Sequence, residues 1–259
     1  QSNMSVARTK VIYRKQSEYR NSYLNWLNNT TDRYTNIWFG YSSGGQFENW
    51  QEIAEFPIST SRKLPGDYYY KDWNGDGFIN SLDIHPIGFD SKPLLNFGTD
   101  IYVAYKGFDL SCLFQGAAMT NVEYTGILQE PFWGFQSAPI SMFTDRWRPV
   151  DPLADPYNEM TEWEEGKYPM MGSATPIDGS ETNMENGSYV RLKNLEIGYT
   201  LSKNNALSRV GLKNIRIYVN AYNLLTFSQL NYVDPEHPSS NEYMYPLNRS
   251  ISLGINLNF

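Results

Sequence analysis

The last eleven residues set the pattern for the chain. Every odd position from Ile251 to Phe259 is apolar, and every even position from Ser250 to Asn258 is small or polar. A period of two predicts a β-strand with one greasy and one wet face, here running to a terminal aromatic. The same alternation recurs upstream. Ile215, Ile217, Val219 and Ala221 alternate with Arg216, Tyr218, Asn220 and Tyr222, and Leu195, Ile197, Tyr199 and Leu201 with Glu196, Gly198 and Thr200. Phe108, Leu110, Cys112 and Phe114 form a further apolar row, broken on its polar side by Leu113, and Ile101, Val103 and Tyr105 a less clean one. A weaker strand is expected over Met4–Tyr13.

The connections between these strands alternate in length. Residues 225–247, 119–187 and 14–96 make long connections, whereas 202–210 and Lys106-Gly107 make short ones. Short turns on one side and long loops on the other are the habit of outer-membrane β-barrels. Two structureless connections this long are uncommon in a compact soluble domain. Tyr105, Phe108, Tyr199 and Phe259 all fall near the short-turn side, where an interfacial aromatic girdle belongs. The expected fold is therefore all-β: antiparallel strands of a transmembrane β-barrel, with 14–96 and 119–187 as long extracellular loops.

Composition changes this picture little. Charged residues are 19% of the 259 and aromatics 15%. A mean hydropathy of −0.53 suits a barrel whose strands average lipid-facing and lumen-facing positions. A net charge of −7 argues against nucleic acid as a partner. One cysteine, Cys112, excludes an internal disulfide and a multi-cysteine zinc site. Two histidines, His85 and His237, leave little for metal or triad chemistry. The first residues, QSNMSVARTK, lack the features of a secretory leader.

An ordered set of short segments carries a family resemblance. It comprises Ile37-Trp38-Phe39-Gly40-Tyr41, Gly45-Gln46-Phe47, Gln51-Glu52-Ile53, Pro65-Gly66-Asp67, Asp72-Trp73-Asn74-Gly75-Asp76-Gly77 and Pro86-Ile87-Gly88. It continues through Tyr105–Leu110, Phe114-Gln115-Gly116, Arg146-Trp147, Tyr189–Asn194, Gly198-Tyr199, Asn223–Phe227 and Phe259. In this order the chain resembles the C-terminal quarter or so of SusC/RagA-type TonB-dependent transporters of Bacteroidetes outer membranes; residues 15–35 match least. The resemblance implies a barrel of roughly 22 strands closed by a plug, and import of glycans or peptides. It also implies a SusD-like surface lipoprotein and the TonB complex as partners, with the bilayer around the barrel. Plug and TonB-contacting segment are then expected outside these residues, and the rest of the barrel is needed to close it. No catalysis is implied.

Residues 72–83 match an EF-hand-type calcium loop. Side-chain oxygens fall at loop positions 1, 3, 5, 9 and 12, supplied by Asp72, Asn74, Asp76, Asn80 and Asp83, with the Phe78 carbonyl at position 7 and Gly77 at the sharp turn. A hard cation needs such alternating oxygens because the wrapped turn aims every second residue inward. Asp instead of Glu at the last position shortens the reach, and no amphipathic helices flank the loop. A metal-free Asx-rich turn is the competing account. Calcium is thus the one expected cofactor, in a structural role.

All seven tryptophans lie in the two longest connections, where they suit sugar stacking, a partner interface or loop packing. Residues 119–187 hold twelve Asp/Glu against three Arg/Lys, which suits a solvated face better than a glycosidase pair. Arg191 and Lys193 are open between lumen and headgroups. The alternative to transport is a secreted, calcium-stabilised, carbohydrate-binding β-sandwich; a glycan-degrading enzyme is the third reading.

Overall fold

The computed structural model describes residues 1–57, 62–135, 137–173, 177–202, 211–236 and 247–259. Its frame is one six-stranded antiparallel sheet. In chain order the strands are β1 (Ser2–Val6), β2 (Leu95–Tyr105), β3 (Phe108–Ala118), β4 (Tyr189–Ser202), β5 (Asn214–Ser228) and β6 (Ser250–Asn258). Each pairs with the next, so the spatial order equals the chain order. Such a meander is an open piece of barrel wall.

The register converts the sequence alternation into a face. Across β2 to β6, one row aligns Ile101, Cys112, Leu195, Ala221 and Ile251. The next aligns Val103, Leu110, Ile197, Val219 and Leu253. No second sheet covers these rows among the described residues, and Val103, Ile197, Leu253 and Ile255 stand half or more exposed. A soluble sandwich buries such a face against its partner sheet. A contiguous bare apolar face this wide belongs against lipid or another protein.

The opposite face is polar. Arg216 reaches across β4 to Asp109 on β3, and its Nη2 donates to Glu196 Oε1 at 2.6 Å. Asn220 Nδ2 completes the cluster by donating to Glu196 Oε2 at 2.9 Å. Gly198 makes this possible, because a Cβ there would meet the Arg216 and Asp109 side chains at 2.6–2.7 Å.

Lys106 and Gly107 join β2 to β3 with φ of 48° and 89°, the positive values of a two-residue hairpin turn that follows sheet twist. Tyr105, Phe108 and Tyr199 lie side by side at this end, with the Phe108 and Tyr199 rings 4.5 Å apart. Of the expected short connection 202–210, residues 203–210 lie outside the described residues, as do 237–246 of the 225–247 connection, His237 among them.

Two boundaries differ from the alternation. The Met4–Tyr13 segment is not one strand: Ser2–Val6 pairs with β2, while Lys10-Val11 turns away to pair with Arg33-Tyr34. Strands β2 and β5 also extend to Leu95 and Ser228, into the segments 14–96 and 225–247, because cross-strand pairing continues past the last strictly alternating residues.

The long connections carry short elements: helices α1 (Ser22–Asn28), α2 (Trp50–Glu55) and α3 (Ile140–Thr144), and two-stranded ribbons. Asn21 and Asn49 cap α1 and α2 by accepting backbone N–H bonds.

Candidate functional site

The chemistry-bearing residues gather where the long connections meet, beyond the ends of β3, β4 and β5. Asn121–Glu123 pairs with Met184–Asn186, and this ribbon carries a small core of Val122, Tyr124 and Leu128. Ile127 packs on it from the same connection, and Leu230 and Val233 from the one after β5. Apolar burial of this kind is what holds long loops in one arrangement.

A buried ionic cluster fastens the same place to the wall. In β4 the pairing register shifts between Leu192 and Asn194, so Lys193 is an extra residue opposite β3. The bulge swaps which parity faces the bare side: Val190 and Leu192 line up with Gly116 and Phe114, whereas Leu195 and Ile197 do so further along. Arg191 therefore enters the protein side and is only 2% exposed. Its Nη2 donates to both carboxylate oxygens of Asp234 at 2.8 Å, its Nε to Thr226 Oγ1 at 2.9 Å, and its Nη1 lies 3.3 Å from Glu236. Lys193 Nζ meets Glu236 at 2.6 Å. Burial works to raise the Asp234 pKa, but the Glu236 N–H and the Arg191 guanidinium outweigh it and hold the carboxyl below the usual range. The sequence left Arg191 and Lys193 open between lumen and headgroups; no local pattern marks their partners Asp234 and Glu236, 43 residues further on.

The segment 72–83 folds as a closed loop. Asp72 accepts backbone N–H bonds from Gly75 and Gly77 at 2.7 Å and from Asp76 at 3.2 Å, which with burial opposing them lower its pKa. Gly75 and Gly77 take φ of 74° and 82°, the left-handed values the loop requires. Asp83 is fully buried and accepts from Trp73 and Asn80 backbone N–H at 2.9 and 2.8 Å. Its side chain also lies beside that of Asp72. Asn74 Nδ2 donates to Asp76 Oδ2 at 3.0 Å, Asn80 Oδ1 caps Leu82, and the Phe78 carbonyl accepts from Asn80 Nδ2 at 3.4 Å. Thus Asp72 and Asp83 are brought together, while Asn74, Asp76 and Phe78 sit at the exposed tip and Asn80 is half-buried beside it. Among the described residues no three acidic, histidine or cysteine side chains converge as a ready metal cluster. Trp73 stacks on His85, with ring centroids 3.8 Å apart and planes 12° off parallel.

The tryptophans divide. Trp50, Trp147 and Trp163 line one open groove of about 430 Å³ with Glu48, Glu159 and Glu165. Trp26, Trp73 and Trp133 are exposed. Several acids of 119–187 serve local structure: Glu164 forms a two-bond pair with Arg148, Glu123 accepts from the Gly179 N–H, and Glu181 from the Ser43 N–H.

A second cavity, of about 290 Å³, lies at the convergence of the connections, between Tyr68, Tyr124, Tyr168, Tyr232, Met142 and Glu185. Burial, with Tyr70 and Glu185 nearby, pushes the Tyr68 hydroxyl up to about 12.

No family model matches the chain. Two curated relatives do, both from Formosa agariphila. TonB-dependent receptor P26 is 28% identical over 226 residues, and TonB-dependent receptor P3 29% identical over 241. The aligned parts cover 81% and 85% of this chain but 21% and 22% of the relatives, so the chain spans about a fifth of their length. Among solved structures, the RagAB peptide transporter superposes with a TM-score of 0.58 at 18% identity, covering 88% of this chain and 23% of that one. The RagAB peptide importer in its open-open state gives 0.55 at 20% identity, covering 85% and 22%. The chain is therefore similar in sequence to TonB-dependent receptors and in fold to the RagAB transporter, in keeping with the SusC/RagA-like resemblance and with an all-β partial barrel.

Proposed function

We propose that the chain forms part of the wall and the extracellular loops of an outer-membrane transporter that imports nutrients under TonB control. One observation carries this: an antiparallel meander with a bare apolar face, a polar opposite face and long structured connections between strand ends. The apolar rows face lipid, and the Asp109–Glu196–Arg216 cluster faces the lumen. The connections 14–96 and 119–187 stand on the outer surface, and the Lys106-Gly107 turn faces the periplasm. The matched relatives are named as receptors and transporters.

Peptides or glycans are the cargo in this reading. The RagAB importer is a peptide importer, which favours peptides, while the Trp50–Trp147–Trp163 groove offers flat ring faces to sugars. A surface lipoprotein of the SusD kind and the TonB complex complete the machine. Residues 72–83 hold calcium as a structural pin, with Asp72 and Asp83 as its anchoring carboxylates and Asn74, Asp76, Asn80 and the Phe78 carbonyl closing around the ion.

Uptake is the test. Cells lacking the intact protein, and cells lacking TonB, are expected to lose uptake of the same labelled peptide or oligosaccharide pool. Unchanged uptake of both pools in the first strain contradicts transport.

A further inference from the structure

We propose that the 290 Å³ cavity binds an organic cation, an amine or guanidinium borne on a compact apolar body, with the Glu185 carboxylate taking the charge. The argument starts with the ribbon. Glu185 lies opposite Val122 in its antiparallel register, so the two side chains share a face, which Tyr124, two residues on, also shares. That face is the apolar core of the loop assembly: Val122 is fully buried and Tyr124 nearly so. Glu185 itself is half-buried, so its carboxylate is partly desolvated and gains from a cationic partner. Among the described residues Glu185 has neither an ion-pair nor a hydrogen-bond partner, while it lines open space.

The surroundings suit a cation. Tyr68, Tyr124, Tyr168 and Tyr232 line the cavity, and their hydroxyls are already engaged by the protein. Tyr168 Oη lies 3.2 Å from Tyr232 Oη, which also bonds Ser141; Tyr68 Oη donates to the Lys167 carbonyl at 3.4 Å; Tyr124 Oη accepts from the Asn231 N–H at 3.4 Å. What remains for a ligand is ring face, the surface that attracts ammonium and guanidinium groups. Leu128 and Met142 supply apolar lining. Among the described residues the charged groups at the cavity are two carboxylates, Glu130 and Glu185, and one cation, Lys167, which is exposed and extends toward the Tyr168 ring, 5.6 Å from its centroid. An anion finds little here. The burial-raised Tyr68 and Tyr124 hydroxyls, both further raised by Glu185, place its negative charge within their reach. A volume near the lower end of ligand sites fits one residue-sized amine and excludes an oligosaccharide.

The proposal is independent of transport, because binding is read by calorimetry on the intact detergent-purified protein containing this chain. The probes are phenethylamine, its neutral isostere 2-phenylethanol, and the tetrapeptide Phe-Gly-Gly-Gly. Phenethylamine is expected to bind about tenfold or more tighter than the alcohol, a gap in the range of one cation–π and charge contact. E185Q is expected to remove that gap while leaving alcohol binding unchanged, with barrel folding verified by heat-modifiable gel migration. M142W, which fills the cavity without touching Glu185, is expected to weaken all probes. Tetrapeptide binding that E185Q abolishes identifies a peptide amino terminus as the source of the amine; phenethylamine binding alone identifies a free small amine. Equal binding of amine and alcohol, or an amine affinity that E185Q leaves unchanged, overturns the proposal and leaves the uptake result untouched.

Discussion

The guanidinium of Arg191 grips both carboxylate oxygens of Asp234, 43 residues further on, at 2.8 Å from one nitrogen. Arg191 sits in the wall and Asp234 in the connection after β5, so this pair ties a loop to the barrel. Among the described residues, removing Asp234 leaves the buried guanidinium with only the longer Glu236 carboxylate contact at 3.3 Å. D234A is expected to destabilise the loop by about 3–5 kcal/mol, whereas R191M combined with D234L costs far less. Limited proteolysis of the folded protein checks this: cleavage after Leu230 should rise steeply in the single variant and only modestly in the double one.

The same pair sets a pH dependence. Asp234 is held below its usual pKa in the folded loop, so its contribution is fully present above the unfolded value of about 3.9 and fades as pH falls through the lower folded value. Protease resistance of the 229–236 segment should therefore be flat from neutral pH down to about pH 5 and drop only in strong acid. A loss centred near pH 6 would point to another group.

Charge on the bare face should be costly and charge on the other face cheap. Val219 and Leu253 are register partners in the middle of β5 and β6. V219R is expected to cost about 2–4 kcal/mol of folding free energy in lipid vesicles. Ser252, on the opposite face beside Asn220, should accept lysine with a change of about 1 kcal/mol or less. Urea titration of vesicle-folded protein compares the two.

Much of the wall was legible because period-two alternation maps directly onto faces: the odd positions of 251–257 and 215–221 align row by row in the sheet. The Lys193 bulge was not, since one inserted residue reverses parity and takes Arg191, which the sequence leaves open between lumen and headgroups, into a buried ion pair. Met4–Tyr13 failed similarly, because Lys10-Val11 finds a loop partner that no local pattern specifies. Within 72–83 the turn was readable from Asp, Asn and Gly spacing. The cavity around Glu185 was not, because its lining comes from segments as distant as Tyr68 and Tyr232.

The calcium reading has a direct optical test. Trp73 is the second residue of the loop, close enough to excite a lanthanide held there. Terbium added to the purified protein should give emission on excitation of tryptophan, displaced by calcium and lost in D72N and in W73F. Emission unaffected by D72N would place the ion elsewhere.

The central claim, that this sheet is a membrane wall with the odd positions of β6 toward lipid, is tested most directly by nitroxide scanning of that strand. Single cysteines at Ser250 through Asn258, in a Cys112-to-serine background of the intact protein, would be labelled and placed in bilayers. Accessibility to dissolved oxygen should peak at 251, 253, 255 and 257, and accessibility to a water-soluble nickel chelate at the even positions. A uniform, water-exposed profile without a period of two would contradict the account.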